Sequence, residues 1–415
     1  MAETLDSILK RHVAHDAATK DKLLGAAFIV LSKNGVLYEG NAGRTRQPAD
    51  SPPFGADSVT YMASMTKMIT AACAMQLVDR GQIELDDDVR PLVPELAGMQ
   101  ILTGFADSAD GSESRPVLRD NPHPITLRHL LTHTSGLAYA AIDPDLQRWA
   151  RHARRTANSL LCTLDSWTAP LKFPPGGGGR WCYGTSVDWA GQVVERVAGC
   201  TLGAYARANV LGPLGMARTG FRLGAVLDGG PSDRHYVPGS VRIAESGELA
   251  EGRPPIVDDP PVESGGAGLY GCAADYARFV RALLRALAGE GEGLLSKGAV
   301  DEMFTPQLNE GQREELGKMV AAVGMAPEFP VGTPMDHGLS GVMNTEDVPG
   351  KRRKGSMMWA GQCNARWWID PKTGIGAVLF LNVLPYGDAV VAKLYHELEL
   401  AVYAELVPKA AEGSI

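Results

Sequence analysis

The sequence predicts an α+β chain: an antiparallel sheet built from both termini, flanked by helices, with a large helical insertion. Three observations carry this. A strand–turn–strand pattern stands near the N-terminus. Three further strand-like runs lie between Gly355 and Val383, and helical patterns dominate from Ser64 to about residue 340. The expected division is residues 1–62 plus 341–415 as a sheet domain, with residues 63–340 as a mainly helical domain. A chain of 415 residues has ample length for a large core, and no internal repeat stands out.

Taken in order, Leu5 to Thr19 reads as a polar, amphipathic opening helix. The apolar run Ala26 to Leu31, the turn Lys33-Asn34-Gly35 and the run Val36 to Gly40 read as a hairpin. Proline-rich residues 47–55 lead to Ser64, and Met68 to Arg80 follows as a helix stopped by Gly81. Ile69, Ala72, Cys73, Met75 and Leu77 make that helix apolar enough to be buried. Asp86 to Asp88 with Pro91 and Pro94 reads as a loop and short turn, and residues 103–122 as a polar excursion. Thr126 caps a short helix ending in Thr132-His133-Thr134-Ser135-Gly136-Leu137. Pro174, Pro175 and Gly176 to Gly179 form a flexible loop before Trp181-Cys182-Tyr183-Gly184. Asp188 to Ala198 is a helix stopped by Gly199, and the turn Gly265 to Gly271 precedes another, Asp275 to Leu287. Gly355 to Ala360, Ala365 to Ile369 and Gly374 to Val383 are strands, and Asp388 to Leu406 is the closing helix.

A net charge of −8 and the lack of any long basic tract exclude nucleic acid as an expected partner. Met1 to Lys20 lacks the apolar centre of a secretory signal, and no apolar run is long enough to span a bilayer. The six cysteines show neither zinc nor redox spacing, so a reduced, cytoplasmic protein is expected.

The pattern most suggestive of chemistry is Ala63-Ser64-Met65-Thr66-Lys67. Ser64 and Lys67 lie one helical turn apart on one face. A lysine in a partly dry site has a lowered pKa and can help activate a serine nucleophile. The same spacing recurs at Ser7 and Lys10, but there the segment is polar and reads as a solvated face. A phenol beside a buried ammonium can act as a base, which makes Tyr183 a candidate; as a bland alternative it is a core aromatic beside Trp181. His133 invites a Ser-His-Asp reading, but no Gly-x-Ser-x-Gly elbow occurs, and an imidazole tying down backbone groups of its turn is expected instead. Met358-Trp359-Ala360-Gly361-Gln362 ends a strand with small residues, which can bring a backbone N–H to a substrate carbonyl. The basic run Lys351-Arg352-Arg353-Lys354 reads as a solvated hairpin, with a phosphate or an acidic carrier protein as the alternative.

Together these residues resemble the serine β-lactamase and penicillin-binding-protein superfamily, in its class C-like branch. Ser-x-x-Lys opening a buried helix, the tyrosine box at Tyr183 and the string Ile125 to Leu137 carry the likeness across nearly the whole chain. Arg128 to Leu137, Tyr183-Gly184 with Asp188 to Gly191, Arg352 to Ser356 and Trp368 to Lys372 resemble the lovastatin-type fungal acyltransferases, with family VIII carboxylesterases as near cousins. The resemblance implies a β-lactamase/transpeptidase-like fold. It makes Ser64 the acylated nucleophile, Lys67 the holder or acceptor of its proton, and Tyr183 the base for Ser64 and then for an alcohol or water. It places the oxyanion between the backbone N–H groups of Ser64 and Gln362, with Trp359, Ala360 and Gly361 lining the substrate. Two departures bear on substrate: position 185 is Thr where lactamases carry Asn, and Trp359 replaces a cation. Lys372-Thr373-Gly374 mimics the missing box, but Asp370-Pro371 before it makes it a hairpin turn. The implied function is acyl transfer from a thioester or ester to an alcohol of a polyketide-type natural product. Ester hydrolysis is the alternative, then β-lactam or D-alanyl peptide cleavage, then a non-catalytic binding protein. No metal or organic cofactor is implied, and an acyl carrier protein or coenzyme A thioester enters as donor by resemblance only.

Overall fold

The structure, a computed structural model, describes residues 2–107, 114–290, 293–324 and 326–407. Seven strands form the main sheet: β1 Gly25–Ser32, β2 Gly35–Gly43, β3 Met335–His337, β4 Val342–Asn344, β5 Met357–Ala360, β6 Arg366–Asp370 and β7 Ile375–Phe380. Their order is β2-β1-β7-β6-β5-β4-β3, every neighbouring pair antiparallel. Ala27 lies opposite Phe380, so the N-terminal hairpin is welded to the C-terminal strands in mid-sheet. The chain thus has the sheet from both termini and the helical insertion that its pattern predicts. The sheet's edge strand, β3, precedes residue 341; a three-residue strand carries no periodic pattern to read.

The helices that matter to the site are α1 Ala2–His12, α2 Thr66–Asp79, α3 Leu127–Leu131, α4 Ser186–Ala198, α5 Ala273–Leu287 and α6 Ala389–Ala401. Helix α5 covers one face of the sheet, with the Tyr276 ring 6.0 Å from that of Phe380. Helices α1 and α6 cover the other, where Trp368 stacks edge-on at 5.5 Å against Tyr395. Burial on both faces explains why β1 and β7 read as unbroken apolar runs rather than alternating ones. Every residue of α2 from Thr66 to Leu77 is buried, which is why that helix shows no polar face.

Three expectations need correction. The opening helix ends at His12, not Thr19, because Val13 bridges to Leu23 and the Ala14 N–H donates to the Leu23 carbonyl. Within the polar stretch 103–122, Ile101–Ala106 pairs with Arg115–Arg119 as a two-stranded ribbon; residues 108–113 lie outside the described ones. The ribbon is largely exposed beyond Leu102, so no apolar alternation marks it. Finally, only Arg353 and Lys354 of the basic run are exposed. Arg352 is fully buried between Glu399 at 2.7 Å and Glu328 at 3.4 Å, Lys351 lies 3.2 Å from Glu399, and Arg366 lies 3.3 Å from Glu328. The run is half an internal ionic cluster under α6, not a solvated hairpin, and only its last two residues are exposed.

Removing a carboxylate from such a cluster strands its buried cations, since Glu399 serves both Lys351 and Arg352. Glu399→Gln is expected to destabilise the protein by roughly 3–5 kcal/mol, read as a fall in the urea midpoint, whereas Arg353→Met on the surface is expected to change it by less than about 1 kcal/mol.

Candidate active site

Ser64 sits in a single 3-10 turn, Ala63–Met65, that runs directly into α2. Ala63 is held at φ 46°, left-handed for a residue with a side chain, so the backbone is strained just before the serine. Lys67, one turn on, reaches back: its Nζ lies 3.1 Å from Ser64 Oγ, 2.7 Å from the Gly266 carbonyl and 3.3 Å from Tyr139 Oη. These contacts match the three donors of an ammonium. Tyr183 Oη lies 2.7 Å from Ser64 Oγ, and the ammonium sits 4.7 Å from the Tyr183 ring centre. The structure therefore brings Ser64, Lys67 and Tyr183 into one hydrogen-bonded group.

The string Ile125 to Leu137 acquires a physical meaning here. Thr126 caps α3 through a reciprocal bond with His129, and the turn behind it clamps the tyrosine loop. The Trp181 indole donates to the Thr132 carbonyl at 2.8 Å, Cys182 N donates to the His133 carbonyl at 3.2 Å, and Ser135 and Ser186 hydroxyls meet at 2.8 Å. On the opposite wall, the end of β5 approaches the serine turn. A Cβ on Gly361 would lie 2.4 Å from the Met62 carbonyl oxygen, so only glycine permits this approach. Trp359, Ala360 and Gln362 line a cavity of about 320 Å³ together with Ser64, Tyr139 and Tyr183, its other walls including Ile142, Leu160 and Met319. Gly361 lies behind that wall, its N–H donated to the Ala365 carbonyl at 2.8 Å. A second groove, with Arg151 and Arg155 on its wall, shares Ala141 and Asn158 with the cavity.

His133 does not tie down its turn through its ring. The imidazole is fully buried at φ 60°, with neither ring nitrogen hydrogen-bonded, and packs edge-on 4.8 Å from Tyr183 and 5.7 Å from His337. Packing behind Tyr183, rather than hydrogen bonding, is its structural use. Thr185 turns its hydroxyl toward the Trp167 carbonyl at 3.4 Å and away from the cavity, so it does not replace the missing asparagine. Lys372 is exposed, and Asp370 ties down Thr373 in the hairpin turn expected of that sequence. Ser7 and Lys10 are both exposed on α1.

Two groups at the site were not singled out from the sequence. Asp188, buried on α4, accepts from the Ser264 hydroxyl at 2.5 Å and the Gly266 N–H at 3.0 Å, and so orients the peptide whose carbonyl holds Lys67. Burial raises its pKa while Lys67 pulls it down. An aspartate among Val187, Trp189 and Ala190 was the available signal. Tyr139 lies just past the end of the long string, where that string was cut.

An antiparallel sheet flanked by helices, with a serine–lysine turn leading a buried central helix, defines the β-lactamase/transpeptidase-like fold. The chain belongs to the Beta-lactamase family, whose family model matches residues 5–401. It is 33% identical to a lovastatin esterase of Penicillium rubens, over 92% of this chain and 94% of that one. It is 32% identical to a monacolin J acid methylbutanoyltransferase of Aspergillus terreus, over 85% of this chain and 84% of that one. Among solved structures it resembles unliganded simvastatin synthase from Aspergillus terreus, with a TM-score of 0.83 at 28% identity, over 98% of this chain and 99% of that one. The chain is an enzyme of the acyltransferase and esterase group within this family. Among the described residues, no helix is long and apolar enough to cross a membrane.

Burial holds both imidazoles behind Tyr183 neutral: it lowers the pKa of His133 well below the usual value and that of His337 from 6.5 to about 4. The unfolded chain takes up a proton near 6.5 that the folded chain refuses until about 4, so stability is lost as pH falls through that interval. For His337 the loss is on the order of 3 kcal/mol. Urea unfolding between pH 7 and pH 4 is expected to show a correspondingly shallower loss in His337→Gln than in the native protein.

Proposed function

We propose that the chain is a serine acyltransferase that moves an acyl group from a thioester or ester to an alcohol of a polyketide-type natural product. The observation that carries this is Ser64 Oγ, held between Tyr183 Oη at 2.7 Å and Lys67 Nζ at 3.1 Å, at the floor of an apolar cavity. Ser64 attacks the acyl carbon, Tyr183 takes its proton, and Lys67 supplies the positive charge that keeps the pair poised. Backbone N–H groups of Ser64 and Gln362 receive the oxyanion. Trp359, Ala360 and the aliphatic walls hold the acyl chain; a tryptophan where lactamases carry a cation suits an ester rather than a penicillin carboxylate.

Names of the relatives support this choice of reaction and also favour a second reading, hydrolysis of the same esters, since one relative is called a lovastatin esterase. The two differ only in whether alcohol or water discharges the acyl-serine. The names of two relatives specify an acid or carboxylate as acceptor. Here the groove beside the cavity supplies a seat for such a group: Arg155 is paired with Asp165, whereas Arg151 is exposed on the groove wall. Lys351 and Arg352, being buried, offer no docking face to a carrier-protein donor, which leaves Arg353 and Lys354 as the exposed part of that run.

Intact mass after mixing with a short branched acyl thioester is expected to show one acyl group on Ser64, discharged by polyketide alcohols and persistent in plain buffer. Rapid decay in buffer establishes the esterase instead. Ser64→Ala is expected to lose at least about 10³-fold in turnover; full turnover by that variant would sink both readings. Arg151→Ala is expected to raise KM for an acidic acceptor about three- to fivefold, with unchanged hydrolysis of a neutral nitrophenyl ester.

A further inference from the structure

Two tyrosines, not one, stand at Lys67. Tyr139 Oη lies 3.3 Å from Lys67 Nζ, and the Tyr139 ring meets that of Tyr183 edge-on at 5.2 Å and 78°. Tyr139 N also donates to the Tyr183 carbonyl at 3.3 Å, so backbone and ring packing both fix the pair. Of the two phenols, only Tyr183 is in described contact with Ser64 Oγ, at 2.7 Å. The pair therefore poses a question of labour: two phenols share one cation, and one of them must give up its proton to act as base.

We propose that Tyr139 is the positioning residue that makes Tyr183 the base: its hydroxyl accepts from Lys67 and donates to Tyr183 Oη, holding that oxygen charged and aimed at Ser64. This deepens the acyl-serine mechanism proposed above and rests on it. The groups facing Tyr139 are Lys67, Tyr183, Asp188 and Tyr61; those facing Tyr183 are Ser64, Lys67, Tyr139, His133, Trp359 and Tyr386. The asymmetry lies in these surroundings. Burial foremost, then the neighbouring Tyr183 and the Asp188 carboxylate, push the Tyr139 hydroxyl well above the ordinary phenol range, so Tyr139 keeps its proton. A hydrogen-bond donor that cannot itself ionise is what a neighbouring phenolate requires.

The proton count closes. As Ser64 Oγ bonds to the acyl carbon, its proton passes to Tyr183 Oη. The departing thiolate or alkoxide takes that proton as its bond to carbon breaks. The acceptor alcohol then gives its proton to Tyr183 as its oxygen bonds to the acyl carbon, and Tyr183 returns the proton to Ser64 Oγ as the ester leaves. Tyr139 keeps its own proton through every step.

The test is the pH profile of kcat/KM for a nitrophenyl ester with the full chain, comparing Tyr139→Phe with Ser64→Ala. Tyr139→Phe retains the ring contact and loses the donor. It is expected to lose about tenfold near pH 7, with the rise of its profile moved up by about one pH unit and most of the activity recovered in alkali. A profile superimposable on the native one, or a loss equal at every pH, overturns the proposal. Should the phenylalanine variant fail to fold, 3-fluorotyrosine at position 139 keeps ring and hydroxyl with a more acidic O–H; it is expected to move the profile to lower pH, and an unmoved profile overturns the proposal equally. Turnover surviving in Ser64→Ala removes the acyl-serine mechanism itself. An inactive Ser64→Ala beside an unaltered Tyr139→Phe removes only the role of Tyr139.

Discussion

A single buried ammonium, Lys67, sets the terms for everything around it. A lysine buried in the first turn of an apolar helix is costly unless acceptors surround it. The acceptors here come from three separate stretches: Ser64 from the turn before α2, Tyr139 from the turn after α3, and the Gly266 carbonyl from the loop before α5. A fourth element, α4, supplies Asp188, which fixes that loop through the Gly266 N–H. A Cβ on Gly266 would come within 2.5 Å of the Asp188 carboxylate, so the loop can lie this close only as glycine. The helical insertion thus converges on one nitrogen atom, and the contact that ties Ser64 into the site is one of those that make Lys67 tolerable.

Strain and rigidity are paired around this centre. Ala63 and His133 are both left-handed without being glycine, one beside Ser64 and the other behind Tyr183. Such conformations cost on the order of 1–3 kcal/mol each and persist only where surrounding packing fixes them. That packing is visible: His133 is walled by Trp181, Tyr183 and His337, and the serine turn abuts the end of β5 at Gly361. The sheet that carries β5 is in turn locked by aromatic packing on both faces and by the ionic cluster beneath α6.

Elements with a strong local pattern were legible in the sequence. The hairpin of β1 and β2 declared itself through an apolar run and an Asn-Gly turn, and α2, α4 and α5 through apolar spacing and stop residues. Ser64 and Lys67 were legible because a lysine in an apolar helix demands a reason, and Tyr183 because a resemblance pointed to it. What stayed hidden depends on distant partners. Lys351 and Arg352 look like solvated charges until Glu328 and Glu399, remote in sequence, are brought beside them. Tyr139 and Asp188 look like ordinary turn and helix residues until the fold aims them at Lys67. His133 was legible as structural but not in its manner, since its ring uses packing where hydrogen bonds were expected.

The pairing of Ala27 with Phe380 has a consequence for how the protein comes into being. Strand β1 is made long before β7, its neighbour on one side. Closing that contact means joining nearly the whole chain into one loop, a slow kind of step in folding. Until it closes, β1 offers an open, apolar edge to other chains, the sort of surface on which nascent proteins aggregate. The wall that Trp359 and Gln362 give the cavity belongs to the same late sheet. Helix α2 is therefore synthesised long before the wall it faces, and the chain's vulnerability to misassembly and the completion of its cavity are set by the same late event.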